Sequence, residues 1–175
     1  SDVYKRQSIQ TGTSSANPIQ RSLQSRLDDF VNVRSFGANG DGTDQTLALQ
    51  RAIDQLYLPW SGASDADSLK KRVTLKLDAG LYKINDSLKV PPYVNLVGDG
   101  SDKTVIEQTG AFAVIETING NGINAQTSST NQSNIIRLQG MTLKSYLTNP
   151  ALKLSSTKDS QFIDIKLQGP WTQGS

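Results

Sequence analysis

Short runs of alternating apolar and polar residues follow one another from residue 73 onward. Each run is followed by Gly, Asn, Asp or Ser, the residue types that close a strand with a turn. The predicted strands lie in VTLKLDAG, SLKV, PPYVNLVGDG, TVIEQ, AVIET, IIRLQGMTLKS, ALKLSS and FIDIKLQG. No helical pattern interrupts the series, so the pattern predicts a sandwich, a barrel or a solenoid.

The apolar positions of these runs should share one buried face. The predicted inward side chains are Val73, Leu75, Leu77, Leu88, Val90, Val94, Leu96, Ile163 and Ile165. Leu75 and Leu96 hold equivalent places in successive runs, as do Leu143 and Leu167. Such intervals, in the low twenties, are typical of coil-type repeats and favour a solenoid. A β-sandwich would also be compatible with this many short strands in a chain of this length.

Residues 31–57, VNVRSFGANGDGTDQTLALQRAIDQLY, carry a different pattern. Val31, Val33 and Phe36 nearly alternate with polar residues, which predicts a strand. A tight turn should follow at Gly37, Gly40 and Gly42, because glycine readily adopts the left-handed backbone conformation that such a turn requires.

A helix is predicted after this turn, starting at Thr43 or Asp44, whose side-chain oxygens can accept from free helix amides. Its predicted apolar face consists of Leu47, Leu49, Ala52, Ile53, Leu56 and Tyr57. The residues predicted to face water are Gln50, Arg51, Asp54 and Gln55. An apolar face of this width needs a large apolar surface, so we expect the helix to close the open end of the strand stack.

The segment NVRSFGANGDGTDQTLALQRAID resembles the opening motif of the pectate-lyase-like superfamily. Its members are right-handed parallel β-helix proteins, among them pectin-active lyases and hydrolases and many bacteriophage tailspikes. Gln45 stands where a second acidic residue is common. The preceding QRSLQSRLDDFVNV resembles the lead-in of phage tail proteins. The resemblance implies an all-β solenoid, a right-handed single-stranded parallel β-helix with an N-terminal amphipathic capping helix.

Three segments are predicted along the chain. Residues 1–7, SDVYKRQ, resemble the translation of a transposase mosaic-end adapter and are interpreted as a sequencing artefact, the alternative being an ordinary polar terminus. Residues 8–30 are interpreted as a linker or lead-in arm, with a short helical turn permitted by Leu23, Leu27 and Phe30. Residues 31–175 are interpreted as the cap and first coils of a truncated β-helix domain. The polar insert 120–134 is interpreted as a projecting or disordered loop.

Charge and composition exclude several classes of chemistry. With 18 basic and 16 acidic residues the formal net charge is +2, which favours neither a nucleic-acid partner nor a membrane surface. The chain has no cysteine and no histidine, so disulfides, thiolate chemistry and histidine general bases are excluded within it. No apolar run reaches the roughly 20 residues of a membrane span.

No catalytic, cofactor-binding or metal-binding residue is assigned from the sequence. The turns GDGTD (40–44) and GDGS (98–101) lack the further residues of a calcium or phosphate loop and are interpreted as backbone turns. Asp159 and Asp164 are the candidates for the carboxylate pair of a glycoside hydrolase. Because Asp164 alternates with Ile163 and Ile165, it should face solvent, and a solvated strand face explains both residues better.

The resemblance implies a phage tailspike or tail-fibre subunit that binds and depolymerises bacterial surface polysaccharide or another acidic polysaccharide. It would act as a homotrimer joined to virion tail components and be located in the virion tail. Its catalytic residues are expected on coils beyond Ser175, and this fragment should be inactive alone. The alternatives are a secreted pectin-type polysaccharide lyase or glycoside hydrolase, and a non-catalytic virion adhesin or structural spike. No cofactor is expected.

Overall fold

The computed structural model describes residues 8–11, 19–22, 30–57, 74–118, 133–146, 149–155 and 157–169. Several predictions lie outside these residues: the segment 1–7, the helical turn at Leu23 and Leu27, the inward orientation of Val73, and most of the insert 120–134. The side chains of Gln55, Leu56 and Tyr57 also lie outside the described part of the chain.

The described chain is mostly parallel β-sheet. Its strands are β1 Ser8–Thr11, β2 Ile19–Ser22, β3 Phe30–Asn32, β4 Asp41–Asp44, β5 Thr74–Leu77, β6 Gly80–Ile84, β7 Leu88–Val90, β8 Asn95–Gly98, β9 Thr104–Gln108, β10 Ile115–Thr117, β11 Ser133–Asn134, β12 Arg137–Lys144, β13 Leu152–Lys153, β14 Thr157–Lys158 and β15 Gln161–Gln168. The helices are a 3₁₀ helix, Val33–Phe36, and an α-helix, α1, Thr46–Tyr57.

The strands form one large curled sheet and three small ones. The eight-stranded sheet has the order β3-β5-β8-β12-β9-β6-β4, with β15 also paired to β12. Strand β12 is long enough to pair with β8 through Arg137–Gln139 and with β9 through Thr142–Lys144. The small sheets are β13-β10-β7, β11-β14 and the antiparallel pair β1-β2. Because β12 bridges two rows of strands, the sheet curls strongly, into a half-barrel.

The register confirms both leucine pairings expected from the sequence. Leu75 pairs with Leu96 in the parallel ladder between β5 and β8. Leu143 pairs with Leu167 in the parallel ladder between β12 and β15. Equivalent positions therefore recur at the predicted intervals. Leu75, Leu96 and Leu143 are buried in the core, whereas Leu167 is exposed.

The core lies on the concave side of these strands. Leu75, Leu77, Leu88, Val90, Val94 and Leu96 are all buried, as the alternation predicted. Strand β6 was not predicted, although its alternate residues Tyr82 and Ile84 are fully buried. The hydroxyl of Tyr82 donates to the Asp78 carbonyl at 3.0 Å, so this buried group is satisfied.

A close approach of two backbones marks the bend of β12. A Cβ atom placed on Gly98 would lie 2.2 Å from the Gly140 carbonyl oxygen. Gly140 itself has a φ of 66°, a left-handed conformation that favours glycine. These two glycines therefore let neighbouring turns of chain touch at the corner.

The predicted strand through Phe36 is shorter than expected. It ends at Asn32, whose side-chain oxygen accepts from the Arg34 amide at 2.8 Å, and the 3₁₀ helix follows. A side chain that bonds its own backbone in this way competes with strand pairing, which explains the early end. The turn after it is confirmed at Gly37 and Gly40, which have positive φ. It is shorter than predicted, because Asp41–Asp44 form β4, which pairs with β6 with a shift of register.

Helix α1 confirms Asp44 rather than Thr43 as its N-terminal acceptor, because Asp44 Oδ1 accepts from the Thr46 amide at 3.1 Å. Leu49, Ala52 and Ile53 are buried as predicted. Two predictions for the helix were wrong. Leu47 is 70% exposed, because it lies in the first turn and points away from the sheet, while Gln50 is buried against β7.

The predicted inward orientation of Ile163 was also wrong. Asp164 has a φ of 49°, which interrupts the alternation along β15. As a result Phe162, Ile165 and Leu167 align with the buried Leu138, Met141 and Leu143 of β12, whereas Ile163 aligns with Gln139. Ile163 therefore lies on the same outward face as Gln139, and Asp164 faces solvent as predicted. Exposure is general along β15, since Phe162 and Leu167 are exposed as well.

Candidate functional site

A pocket of about 250 Å³ lies at the corner where β8, β12 and β15 begin. Its lining residues are Tyr93, Asn95, Ile135, Ile136, Arg137, Asp159 and Gln161. This volume is below the range of about 300–1,000 Å³ that drug-sized ligands occupy, so the pocket suits one small unit of a larger ligand.

One wall of the pocket is a ladder of polar side chains on neighbouring strands. Asn95 pairs with Arg137, and Arg137 pairs with Gln161, in parallel register. These side chains face outward because the residues that follow Asn95 and Arg137, Leu96 and Leu138, are buried in the core. The ladder thus presents a guanidinium between two amides on the convex side of the sheet.

Asn95 contributes an unsatisfied acceptor to this wall. Its Nδ2 donates to Thr74 Oγ1 at 2.7 Å. Its Oδ1 is buried and has no hydrogen-bond partner among the described residues. A buried acceptor without a partner is costly to the stability of the fold.

Three further lining residues lie at the turns before the same strands. Tyr93, Ile135 and Asp159 have φ angles of 68°, 56° and 51°. Each lies two positions before a member of the polar ladder, so the three are stacked like the ladder itself. They add an aromatic ring, a branched aliphatic side chain and a carboxylate to the cavity.

The wall is held by hydrogen bonds between successive turns. The Ile135 amide donates to the Lys158 carbonyl, and the Arg137 amide donates to the Val94 carbonyl, each at 2.9 Å. The Ile136 amide donates to Ser160 Oγ at 3.0 Å. The pocket is therefore built on a sheet corner whose successive turns are tied together through their backbone amides.

The two candidate carboxylates of the sequence are not brought together in this pocket. Asp159 lines it and lies 3.9 Å from Lys158 Nζ, with both side chains well exposed. Asp164 is at the other corner, where its oxygens accept from the Ser101 hydroxyl at 2.6 Å and the Ser101 amide at 3.1 Å. The Ser101 hydroxyl, then its amide, lowers the pKa of Asp164.

A glycoside hydrolase needs two facing carboxyl groups, one of them able to hold a proton. Asp159 is the acidic residue among the lining residues, and Asp164, with its lowered pKa, is a poor proton carrier. The described pocket therefore lacks the carboxylate pair of a glycoside hydrolase. It offers donors, acceptors and apolar surface to a ligand with several hydroxyl groups and one apolar face.

The acidic side chains of the two glycine-aspartate segments are occupied by their own contacts. Asp41 Oδ1 accepts from the Thr43 hydroxyl and from Gln45 Nε2, both at 2.6 Å, and the Thr43 hydroxyl is the main cause of the lowered pKa of Asp41. Asp99 pairs with Lys76 at 3.2 Å, which lowers its pKa. Within the described ranges, no three potential ligand residues come together as a metal site, and no helix is long and apolar enough to cross a membrane.

A family model described as rhamnogalacturonase A/epimerase, pectate lyase-like matches residues 30–165. The chain belongs to this family. The match starts at β3 and ends within β15, so it includes α1 and every lining residue of the pocket.

Three known proteins are similar to this member of the pectate lyase-like family. A glucan 1,3-beta-glucosidase of Cochliobolus carbonum is 30% identical over 94 residues, covering 50% of this chain and 10% of that protein. ORF18 of Geobacillus virus E2 has a TM-score of 0.61 at 22% identity, covering 82% of this chain and 27% of that one. The A-module of the mannuronan C-5 epimerase AlgE4 of Azotobacter vinelandii has a TM-score of 0.54 at 19% identity, covering 78% and 38%.

The two structures show a shared fold, since both are parallel β-helix proteins. This pectate lyase-like chain spans well under half the length of each of the three relatives.

Four of the pocket residues were not predicted from the sequence: Tyr93, Asn95, Arg137 and Gln161. The interval between Leu143 and Leu167 contained a signal for part of the pocket. Ile135 and Asp159, and likewise Arg137 and Gln161, are separated by the same number of residues and are therefore expected at equivalent positions.

Proposed function

We propose that this chain is the N-terminal part of a phage tailspike or tail-fibre protein that binds bacterial surface polysaccharide through the pocket at Arg137. In this proposal the curled sheet is the start of a right-handed single-stranded parallel β-helix, and α1 is its N-terminal cap. The full-length protein would depolymerise the glycan, assemble as a homotrimer and reside in the virion tail.

The observation that carries the binding proposal is the pocket itself. A sugar ring has hydroxyl groups at its edge and an apolar face, which match the amides and guanidinium of Asn95, Arg137 and Gln161 and the ring of Tyr93. Family membership supports a carbohydrate ligand, since the relatives named above act on a glucan and on mannuronan.

The virion assignment has separate support. The lead-in QRSLQSRLDDFVNV resembles that of phage tail proteins, and a phage protein, ORF18 of Geobacillus virus E2, shares the fold.

A secreted polysaccharide lyase or glycoside hydrolase is the second candidate, favoured by the sequence identity with a glucan 1,3-beta-glucosidase. A non-catalytic adhesin is the third, favoured by the lone carboxylate among the pocket residues.

The test is binding of the purified 175-residue chain to laminarihexaose, a mannuronan hexamer and an array of bacterial surface polysaccharides. We expect binding that falls about tenfold in Arg137→Ala, equal to the loss of roughly 1.4 kcal/mol. The exposed Arg51 of α1 gives the matched control, and Arg51→Ala should bind like the wild type. Absence of binding to every glycan would contradict the proposal.

The same samples test the absence of chemistry in this part of the protein. A reducing-end assay and the absorbance of unsaturated uronate should both stay at background. Cleavage by the 175-residue chain would place a catalytic site within it and would overturn the assignment of the pocket to binding alone.

A further inference from the structure

Left-handed backbone is concentrated at the pocket. Among the described non-glycine residues, those with positive φ are Tyr93, Ile135, Asp159 and Asp164. Three of these four line the cavity, and they stack at the same corner of successive turns. Asp164 lies at the other corner, beside the positions of Gly98 and Gly140.

The residue types at the pocket corner are poorly suited to this conformation. Aspartate tolerates left-handed backbone, but the Cβ atom of tyrosine crowds the carbonyl there, and a β-branched residue such as isoleucine is a clear outlier. Glycine would adopt the same φ without strain. At the other corner the chain does use glycine, because a Cβ on Gly140 would meet the Gly98 carbonyl oxygen at 2.9 Å.

The sheet holds the pocket corner in place despite this cost. The Ile135 amide is bonded to Lys158 of the next turn, and the Ile136 amide to Ser160. Relaxing Ile135 to an extended conformation would break these bonds and shift the strand start at Arg137. Strain of this kind persists where the surroundings over-determine the backbone, and it clusters at functional sites.

We infer that Ile135 is a wall residue of the glycan pocket, kept in a strained left-handed conformation so that its side chain lines the cavity together with Arg137. This inference rests on the proposed binding function. The left-handed backbone of Ile135 lowers the stability of the fold. A glycine at position 135 would relieve this strain but would also remove the side chain that lines the pocket.

Two variants separate strain from packing. Ile135→Gly should leave the unfolding temperature unchanged or raise it by up to about 4 °C, because it relieves the left-handed conformation. Ile136→Ala is the matched control at the neighbouring position, where the side chain is buried and the φ is ordinary, and it should lower the unfolding temperature by several degrees. Both temperatures are measured by calorimetry on the full chain.

Binding is then measured for the glycan that the wild type binds best among laminarihexaose, the mannuronan hexamer and the array. At a temperature where the variant is fully folded, Ile135→Gly should bind the glycan about tenfold more weakly, because the side chain that lines the pocket is lost. Ile135→Asn, which tolerates the conformation and fills part of the space, should recover part of the affinity.

Two results would overturn the inference: an unfolding temperature that falls in Ile135→Gly as it does in Ile136→Ala, or unchanged affinity in Ile135→Gly. If the wild type binds no glycan, the proposed function fails instead. The unfolding temperatures still decide in that case whether the corner is strained, so the two failures are distinguishable.

Discussion

At the scale of single residues, Glu116 shows how one carboxylate links three strands. On β10 it pairs in register with Lys89 of β7 and Lys153 of β13. Lys153 Nζ donates to Glu116 Oε1 at 2.7 Å, and Lys89 Nζ donates to Oε2. These two contacts, with Lys153 the larger, lower the pKa of Glu116 below its usual 4.5.

Replacing Glu116 by glutamine should therefore destabilise the fold in a pH-dependent way. Because the folded pKa is depressed, the ion pairs stabilise the protein above about pH 4.5, and this contribution is lost as the pH falls through the folded pKa. At pH 7 we expect Glu116→Gln to lower the free energy of unfolding by about 0.5–1 kcal/mol, since the lysines remain partly exposed. Urea unfolding from pH 7 to pH 3 measures the difference.

The control for Glu116→Gln is Asp102→Asn, which removes one negative charge from an exposed turn residue. It should change the free energy of unfolding by less than about 0.5 kcal/mol at any pH. If the difference in free energy of unfolding between Glu116→Gln and the wild type stays the same as the pH falls toward 3, the ion-pair explanation is contradicted.

At the scale of elements, α1 takes the place of a strand beside β7. In the sheet β13-β10-β7, β7 is an edge strand. Gln50 Oε1 accepts from the Lys89 amide at 2.8 Å, and Gln50 Nε2 donates to the Lys89 carbonyl at 3.1 Å. The side-chain amide thus pairs with the peptide group as a neighbouring strand would, and it covers part of an exposed sheet edge.

Gln50→Leu should uncouple the helix from this edge. The substitution keeps the helix propensity but leaves the amide and carbonyl of Lys89 without partners, which should cost about 1–3 kcal/mol. Arg51→Leu on the exposed face of the same helix should stay within about 0.5 kcal/mol of wild type. Urea unfolding gives both values, and faster hydrogen exchange of the Lys89 amide in Gln50→Leu alone would locate the effect at β7.

At the scale of the whole molecule, β15 leaves apolar surface open. Within the described part of the chain β15 pairs with β12 and with no other strand. Phe162, Ile163 and Leu167 on this strand are 37%, 40% and 47% exposed. An edge strand with free backbone groups and apolar side chains is a template for pairing with another chain.

The isolated 175-residue chain should therefore self-associate. We expect light scattering to show species larger than a monomer that dissociate on dilution. The double variant Ile163→Lys and Leu167→Lys should shift the molecule toward the monomer, since edge lysines block strand pairing. The pair Lys76→Ala and Lys103→Ala changes a different surface and should leave the association unaltered. A wild type that stays monomeric at high concentration would contradict this prediction.

The sequence by itself determined the strands that carry inward leucines, the pairing of Leu75 with Leu96 and of Leu143 with Leu167, and the helix that follows the glycine turn. These features are local, because alternation reports which face of a strand is buried and helical spacing reports which face of a helix is buried. The same reasoning failed at Gln50, whose burial depends on the open edge of β7. It failed again at Ile163, whose outward orientation follows from the left-handed Asp164 beside it.

Only the tertiary structure decided where the pocket lies. Asn95 and Arg137 are distant in the chain and become neighbours through the register of β8 and β12, across the polar insert that breaks the regular period. Outward-facing polar residues carry no hydrophobic periodicity, so nothing local distinguishes Arg137 or Gln161 from ordinary surface residues. Their convergence with Tyr93, Ile135 and Asp159 is set by the packing of the leucines beneath them, which fixes the register of every strand.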